Sequence, residues 1–331
     1  MNFFAPKSSE SQRELLATMV DDESHLKSSI WIGDALDKLN VLADASVQLC
    51  LTSPPYNIGK EYEKDDRKPV EQYVIWMEKI FELVFKKLKV GGSFCLQIGN
   101  SHSDGGLYPL DYLLLPSLLK MGFTFRNRII WRFNFGLHAR KRFSGRYEVI
   151  IWVTKGDGYK FNLDSVRIPQ LYPGKRHSRK KKLAGQPSGN PHGKNPSDYW
   201  EFDPKSAFFD DPVWNIPNVK SNHLEKTVHP CQFPIELAER CILALTDIGD
   251  IVLDPFAGVG TTVIAADCRE RIGVGIDRSE AYVLLARDRL AQARAGDLPI
   301  RQAGVAPRQP KSGERVATIP NEWVQLDGGE P

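Results

Sequence analysis

The chain has 331 residues, 41% of them apolar and 26% charged, with 44 Lys and Arg against 41 Asp and Glu for a net charge of +3. That balance excludes a disordered chain, a collagen-like fibre and a global polycation, and leaves room for local basic patches. Five cysteines without a Cys-x-x-Cys pair argue against a metal site or disulfide framework and for reduced thiols in a cytoplasmic protein.

The N-terminus, Met1–Glu10, carries no apolar signal core, and runs such as Leu113–Leu115 and Ile150–Val153 are too short to span a bilayer, so no membrane partner is expected. Residues 1–29 are polar, with Asp21, Asp22 and Glu23 in a row, and read as a loose arm or short helix. Strands are expected at Ser29–Gly33 and Val47–Thr52, the second running into Ser53-Pro54-Pro55-Tyr56. Apolar Val74, Met77, Phe81, Val84, Phe85 and Leu88 recur at helical spacing, which predicts a helix over Val70–Leu88 stopped by Gly91-Gly92. A buried strand follows at Ser93–Ile98 and a helix at Leu110–Lys120. Phe125–Phe133 and Tyr147–Thr154 read as an antiparallel pair.

From Gly156 to Glu225 periodicity fades into Pro, Gly, Asn, Ser and Lys with scattered aromatics, a length of irregular chain that usually carries function. Regular pattern returns as helix Pro234–Leu245, strand Ile251–Pro255, helix Thr261–Arg271, strand Ile272–Asp277 and helix Ser279–Ala293, before a Gly- and Pro-rich tail. The alternation predicts an α/β protein with a mainly parallel sheet.

Two runs carry chemistry. In Asp254-Pro255-Phe256-Ala257-Gly258-Val259-Gly260-Thr261-Thr262, an apolar strand enters a Gly-rich turn and a helix begins. The following strand ends in Asp277, ~20 residues on, where an acid commonly holds a ribose diol. Together they predict an adenosine-containing cofactor. Val263 occupies the last position of the nicotinamide-type Gly-x-Gly-x-x-Gly spacing, which argues against that cofactor. In Thr52-Ser53-Pro54-Pro55-Tyr56-Asn57, two prolines fix a rigid extended turn and leave carbonyls without local partners. Ser53 adds a hydroxyl and Tyr56 a flat ring, a set that suits an exocyclic amino group and a stacked base.

With these two runs in this order, the chain resembles the beta group of S-adenosylmethionine-dependent DNA amino-methyltransferases that accompany restriction enzymes. Gly33-Asp34, Gly91-Gly92-Ser93, Arg146-Tyr147-Glu148, Gly193-Lys194-Asn195-Pro196 and His229-Pro230-Cys231-Gln232-Phe233-Pro234 match as well, over roughly Ile30 to Leu290. The resemblance implies a Rossmann-like fold: a mainly parallel seven-stranded sheet carrying an antiparallel hairpin, circularly permuted, with an irregular DNA-recognition insert. It divides the chain into an arm (1–29), a catalytic half (30–155), a target-recognition insert (156–225), a cofactor-binding half (226–294) and a flexible tail (295–331).

The resemblance also assigns roles. Ser53, Pro54, Pro55 and Tyr56 would be catalytic. Phe256, Gly258 and Gly260 would shape the S-adenosylmethionine loop, with Asp254 facing the ammonium group and Thr261 and Thr262 the carboxylate. Asp277 would bind the ribose and Asp34 the adenine amino group, although Asp34 equally fits a helix N-cap for Ala35–Leu39. Hydrogen bonds from the amino group to Ser53 and the Pro54 carbonyl would localise the nitrogen lone pair for attack on the sulfonium methyl, with no metal and no covalent cysteine intermediate.

For the double-stranded DNA partner, Ser165–Ser197 has no acid and eight bases: Arg167, Lys175, Arg176, Arg179, Lys180, Lys181, Lys182 and Lys194. Tyr112–Tyr147 is acid-free too and includes Arg140, Lys141 and Arg142. Such segments suit phosphate contact, while Lys180–Lys182 alone also fits a solvated loop. Ser53 before Pro-Pro-Tyr is the commoner choice of cytosine-N4 enzymes and Asp of adenine-N6 enzymes. The expected activity is therefore N4-methylation of a flipped cytosine. Adenine-N6 methylation, RNA or protein methylation and an inactive DNA-binding homologue are the alternatives. A restriction endonuclease is the expected genetic partner, without stable contact.

Overall fold

The computed structural model describes residues 27–60, 66–103, 106–133, 138–170, 172, 174–178, 182–200, 219 and 223–301. The expected arm up to residue 26, the tail from 302, insert residues 201–218, and Arg179, Lys180 and Lys181 lie outside the described residues.

The chain opens with strand β1 (Ser29–Ile32), helix α1 (Ala35–Leu39) and strand β2 (Val47–Thr52). Helix α2 (Val70–Lys87) leads directly into β3 (Leu88–Ile98). A short antiparallel hairpin, β4 (Asn100–Ser103) and β5 (Gly106–Pro109), precedes helix α3 (Leu110–Lys120). Strands β6 (Phe123–Arg132) and β7 (Tyr147–Lys155) form the expected antiparallel pair. The irregular segment contributes a 3-10 turn at Leu163–Val166 and a two-residue strand, β8 (Tyr199–Trp200). The C-terminal part is α4 (Ile235–Leu245), β9 (Ile251–Asp254), α5 (Thr261–Asp267), β10 (Ile272–Asp277) and α6 (Glu280–Ala295).

One sheet runs through the molecule in the order β1-β10-β9-β2-β3-β7-β6-β8. The first five strands are mutually parallel, and β7 turns the sheet antiparallel. The sheet therefore has eight strands instead of the expected seven. The eighth, β8, comes from the irregular segment and pairs with Ile130 and Trp131 of β6. The six residues of β2 are all buried, because helices cover both faces of the sheet. On one face α1, α2 and α3 pack against Val47, Cys50, Phe94 and Val153; on the other, α4, α5 and α6 pack against Leu49, Leu51, Cys95 and Trp152. Helix α2 supplies its buried stripe from Tyr73, Met77, Ile80, Phe81 and Val84, at helical spacing.

Two expected boundaries shift, each for a visible reason. The glycines at 91 and 92 do not stop α2. Leu88 already turns extended, with φ −66° and ψ 138°, and both glycines lie inside β3. There the register against β2 slips, Val47 facing Leu88 but Leu49 facing Ser93. Gly91 has φ +77°, and a Cβ on it would stand 2.7 Å from the Gly158 carbonyl oxygen, so the bulge admits only glycine. Helix α5 ends at Asp267, not Arg271, because Glu270 adopts φ +59° and turns the chain back into β10.

The strand order reverses between β9 and β2: one half of the sheet extends to β10 and β1, the other to β3 and beyond. Ligands of open α/β sheets bind beyond the carboxyl ends of the strands at such a point. The two chemistry-bearing runs, about 200 residues apart, follow these two neighbouring strands, a separation no local pattern would close.

Candidate functional site

The ends of β2 and β9 are joined by a buried hydrogen bond in which Thr52 Oγ1 donates to Asp254 Oδ1 at 2.6 Å. Above it opens a cavity of about 580 Å³, a volume typical of small-molecule sites. Its walls include Ser53–Asn57, Pro255–Val259, Thr261, Asp277 and Asp34, so both runs face one space.

The Gly-rich turn is held by its own backbone. Ala257 N–H donates to the Ile276 carbonyl and Gly260 N–H to the Ala257 carbonyl, each at 2.8 Å. Gly258 N–H donates to Asp277 Oδ2 at 2.9 Å and Ser279 N–H to Asp277 Oδ1 at 2.8 Å. Burial pushes the Asp277 carboxyl above its ordinary range, and these two N–H donors oppose the rise. Gly258 has φ +50° and backs directly onto His229, whose Nε2 would lie 3.3 Å from a Cβ there.

Several assigned residues occupy places other than those expected. Asp254 is 1% exposed and lies beneath the cavity instead of lining it. Burial raises its carboxyl to about 6 against hydrogen bonds from Thr52, Thr262 and the Phe256 N–H. Thr262 is fully buried, its hydroxyl set between the Asp254 carboxyl and the Leu51 carbonyl oxygen 3.4 Å away, so it ties α5 to β9 and β2 and does not line the cavity. Gly260, at φ +80°, faces α6 and β1: a Cβ there would lie 3.0 Å from Ala286 Cβ and 3.2 Å from Ile30 Cδ1. Its lack of a side chain serves close packing, so a bulky replacement would test folding before binding. Asp34 does cap a helix, its Oδ1 accepting from Leu36 N–H at 2.8 Å, and it lines the cavity as well.

The Ser53–Tyr56 turn is braced from three sides. Tyr73 Oη donates to the Pro55 carbonyl at 2.8 Å. Asn57, at φ +56°, clasps Lys68, donating to its carbonyl at 2.6 Å and accepting from its N–H at 2.8 Å. Ser101 Oγ of the β4–β5 hairpin donates to the Asn57 carbonyl at 3.0 Å. Ser53 Oγ and Tyr56 Oη stand 3.2 Å apart.

The cavity residues to which sequence reasoning gave no role include Trp76, His229, Tyr282 and Tyr73. Trp76 lies off the buried stripe of α2 and packs edge-on against Phe256, with ring centroids 5.5 Å apart. A large aromatic beside, not within, an amphipathic stripe was the available signal. His229 packs edge-on against Tyr282 at 4.7 Å, and burial, with Lys226 nearby, lowers its pKa to about 4, so its ring is neutral at pH 7. Beside the cavity, Asp66 pairs with Arg278 at 2.6 Å and also with Lys68.

The basic residues sit at the surface. Arg140, Lys141, Arg142, Lys175, Arg176 and Lys182 are exposed, and Lys194 is half-buried with its backbone bridged to Ile168. Arg142 contacts His102 of the β4–β5 hairpin at 2.7 Å. Among the described residues, no helix is long and apolar enough to cross a membrane.

A cavity of this size lies at the switch point of a doubly wound sheet, with Asp277 at the end of β10 and the Ser-Pro-Pro-Tyr turn at the end of β2 facing it. The sequence family described as DNA methylase matches residues 47–288. Among curated relatives, the type II methyltransferase M.BglII of Bacillus subtilis is 42% identical over 265 residues, covering 80% of this chain and 69% of its own. The DNA adenine methyltransferase YhdJ of Escherichia coli strain K12 is 30% identical over 266 residues, covering 78% and 81%. Among solved structures, TTHA0409 of Thermus thermophilus, complexed with S-adenosyl-L-methionine, has TM-score 0.54 at 26% identity, covering 80% of this chain and 94% of that one. The cytosine-N4-specific PvuII DNA methyltransferase has TM-score 0.59 at 20% identity, covering 82% and 93%, a likeness of fold. The chain belongs to the DNA methylase family, and within it to the type II amino-methyltransferases.

Proposed function

We propose that this protein transfers the methyl group of S-adenosylmethionine to the exocyclic N4 of a cytosine flipped out of double-stranded DNA, as the modification enzyme of a restriction–modification system. The observation that carries the reading is the single cavity shared by the Ser53–Tyr56 turn and the Pro255–Thr261 turn.

The residues present fit the cofactor. In this reading the adenine ring lies near the Trp76–Phe256 pair, Asp277 takes the ribose hydroxyls, and the Thr261 hydroxyl meets the carboxylate. The neutral His229 adds no positive charge beside a sulfonium. S-adenosylmethionine supplies an electrophilic methyl on a cationic sulfur; the protein supplies position. An exocyclic amino nitrogen is a poor nucleophile because its lone pair is delocalised into the ring. Hydrogen bonds from its two hydrogens to Ser53 Oγ and the Pro54 carbonyl draw it towards tetrahedral geometry, while Tyr56 stacks on the base. Proximity and orientation then provide most of the rate. An amino group inside the duplex cannot meet the donor in line, which requires flipping.

Ser53, the first residue of the catalytic turn, favours cytosine over adenine. Adenine N6 is the second reading, favoured by the similarity to the Escherichia coli enzyme named for adenine. The insert from 156 to 225, with Lys175, Lys182 and Lys194, together with Arg140, Lys141 and Arg142, would carry the DNA contacts. The test is transfer of tritiated methyl from S-adenosylmethionine to duplex DNA. Wild type should label duplex DNA, and Tyr56→Ala should lose at least about 10²-fold in rate, the scale of a lost stacking and positioning contact. Label appearing on RNA or protein but not on DNA would refute the reading.

A further inference from the structure

Methyl transfer to an amino nitrogen leaves that nitrogen positively charged with one proton too many, and the Ser53 end of the cavity contains a path for it. Ser53 Oγ and Tyr56 Oη lie within hydrogen-bond distance at 3.2 Å. Tyr56 Oη in turn donates to Glu148 Oε2 at 3.4 Å. Gln97 Nε2, on the neighbouring strand β3, donates to the same carboxylate oxygen. Gly99 leaves space for this stack, since a Cβ on it would lie 3.0 Å from Tyr56 Cε2 and 3.4 Å from Glu148 Cγ.

The carboxylate sets the direction of every hydrogen in the chain. A carboxylate only accepts, so Tyr56 directs its one hydroxyl hydrogen at Glu148. Ser53 then directs its hydrogen at Tyr56, and its lone pairs are left to face the cavity. A serine poised in that way is an acceptor for an amino hydrogen. Gln97 is buried at 1% exposure, whereas Glu148 is half-buried at the start of β7, so a proton arriving there has a way to solvent.

We propose that Ser53, Tyr56 and Glu148 form a proton relay that holds Ser53 in its acceptor state and receives the proton released by methyl transfer. The proposal rests on the amino-transfer reading above but not on the identity of the base. In the step, the sulfur–methyl bond breaks and its electron pair stays on sulfur, giving a neutral thioether. The nitrogen lone pair forms the new carbon–nitrogen bond. The excess proton passes from nitrogen to Ser53 Oγ, the Ser53 proton to Tyr56 Oη, and the Tyr56 proton to the Glu148 carboxylate. Sulfonium and carboxylate are consumed and thioether and carboxylic acid remain, so charge and protons balance. Ser53 touches the base; Glu148 is a positioning residue that acts through Tyr56.

The test is single-turnover transfer of tritiated methyl from S-adenosylmethionine to duplex DNA by the full chain. Glu148→Gln keeps the size and an acceptor oxygen but removes the charge that takes the proton. Its transfer rate constant should fall about 10²-fold, the usual share of a proton-transfer group, with cofactor and DNA dissociation constants unchanged. Tyr56→Phe keeps the ring for stacking and should fall similarly, and the double variant should be no slower than the slower single one. A Glu148→Gln rate within about twofold of wild type, or losses that multiply in the double variant, would overturn the relay. Wild type that transfers no label at all would sink the amino-transfer reading, and the relay with it.

Discussion

Asp254 illustrates how a sequence can single out a residue without showing where its side chain points. Its place before Pro-Phe-x-Gly was legible, but which way a carboxylate points from a strand end depends on the neighbouring strand. Here Thr52 of β2 draws it down between the strands. The same geometry makes a pH prediction. Burial raises its pKa from 3.8 to about 6. The folded state therefore holds this proton more tightly than the unfolded state, and the stability it contributes is present below about pH 4 and lost as pH rises through about 6. At ~1.4 kcal/mol per unit the loss is roughly 3 kcal/mol. Asp254→Asn removes the titration but keeps an acceptor for Thr52. Denaturant melts should show the variant gaining roughly 3 kcal/mol relative to wild type between pH 4 and 7. A constant difference across that range would mean that the charge is not what burial penalises.

The elements that positional reasoning recovered are those with long periodic patterns, such as α2, β2, β7 and α6. The β4–β5 hairpin and β8 escaped: β4 is polar, β5 is mostly exposed and β8 has two residues, whereas the equally short β1 and β9 are buried apolar runs that stand out. The basic insert was legible as composition but not as structure. Its described stretches 174–178 and 182–188 are joined as two sides of a loop by backbone hydrogen bonds, Ser188 N–H to the Lys175 carbonyl at 2.8 Å and His177 N–H to the Gln186 carbonyl at 3.0 Å. Arg176 is tied into this loop, donating to the Gly185 carbonyl at 2.5 Å, so its removal would damage structure as well as charge. The side chains of Lys175 and Lys182 enter no such bond with the described residues of the loop, and they are exposed. A Lys175→Ala, Lys182→Ala double variant should bind duplex DNA more weakly. Its salt dependence, the slope of log affinity against log salt, should be shallower by about 0.9 for each lost phosphate contact, with cofactor affinity unchanged. An unaltered slope in fluorescence titrations would assign the phosphate contacts to other residues.

At the scale of the whole molecule, the site is a product of strand order. Trp76 and Phe256 meet edge to face although 180 positions separate them, and Ser53 comes to share a cavity with Asp277 because β2 lies beside β9. Each run announced its own chemistry in the sequence. Their convergence, and the residues recruited from α2 and from the stretch before α4, required the fold. The central claim is that this convergence serves methyl transfer to an amino nitrogen, with Ser53 selecting cytosine. Mass spectrometry of nucleosides from duplex DNA incubated with the protein and S-adenosylmethionine tests it most directly. The account predicts N4-methylcytosine. N6-methyladenine would contradict the choice of base while leaving the mechanism intact, and 5-methylcytosine, or no methylated base, would contradict amino transfer itself.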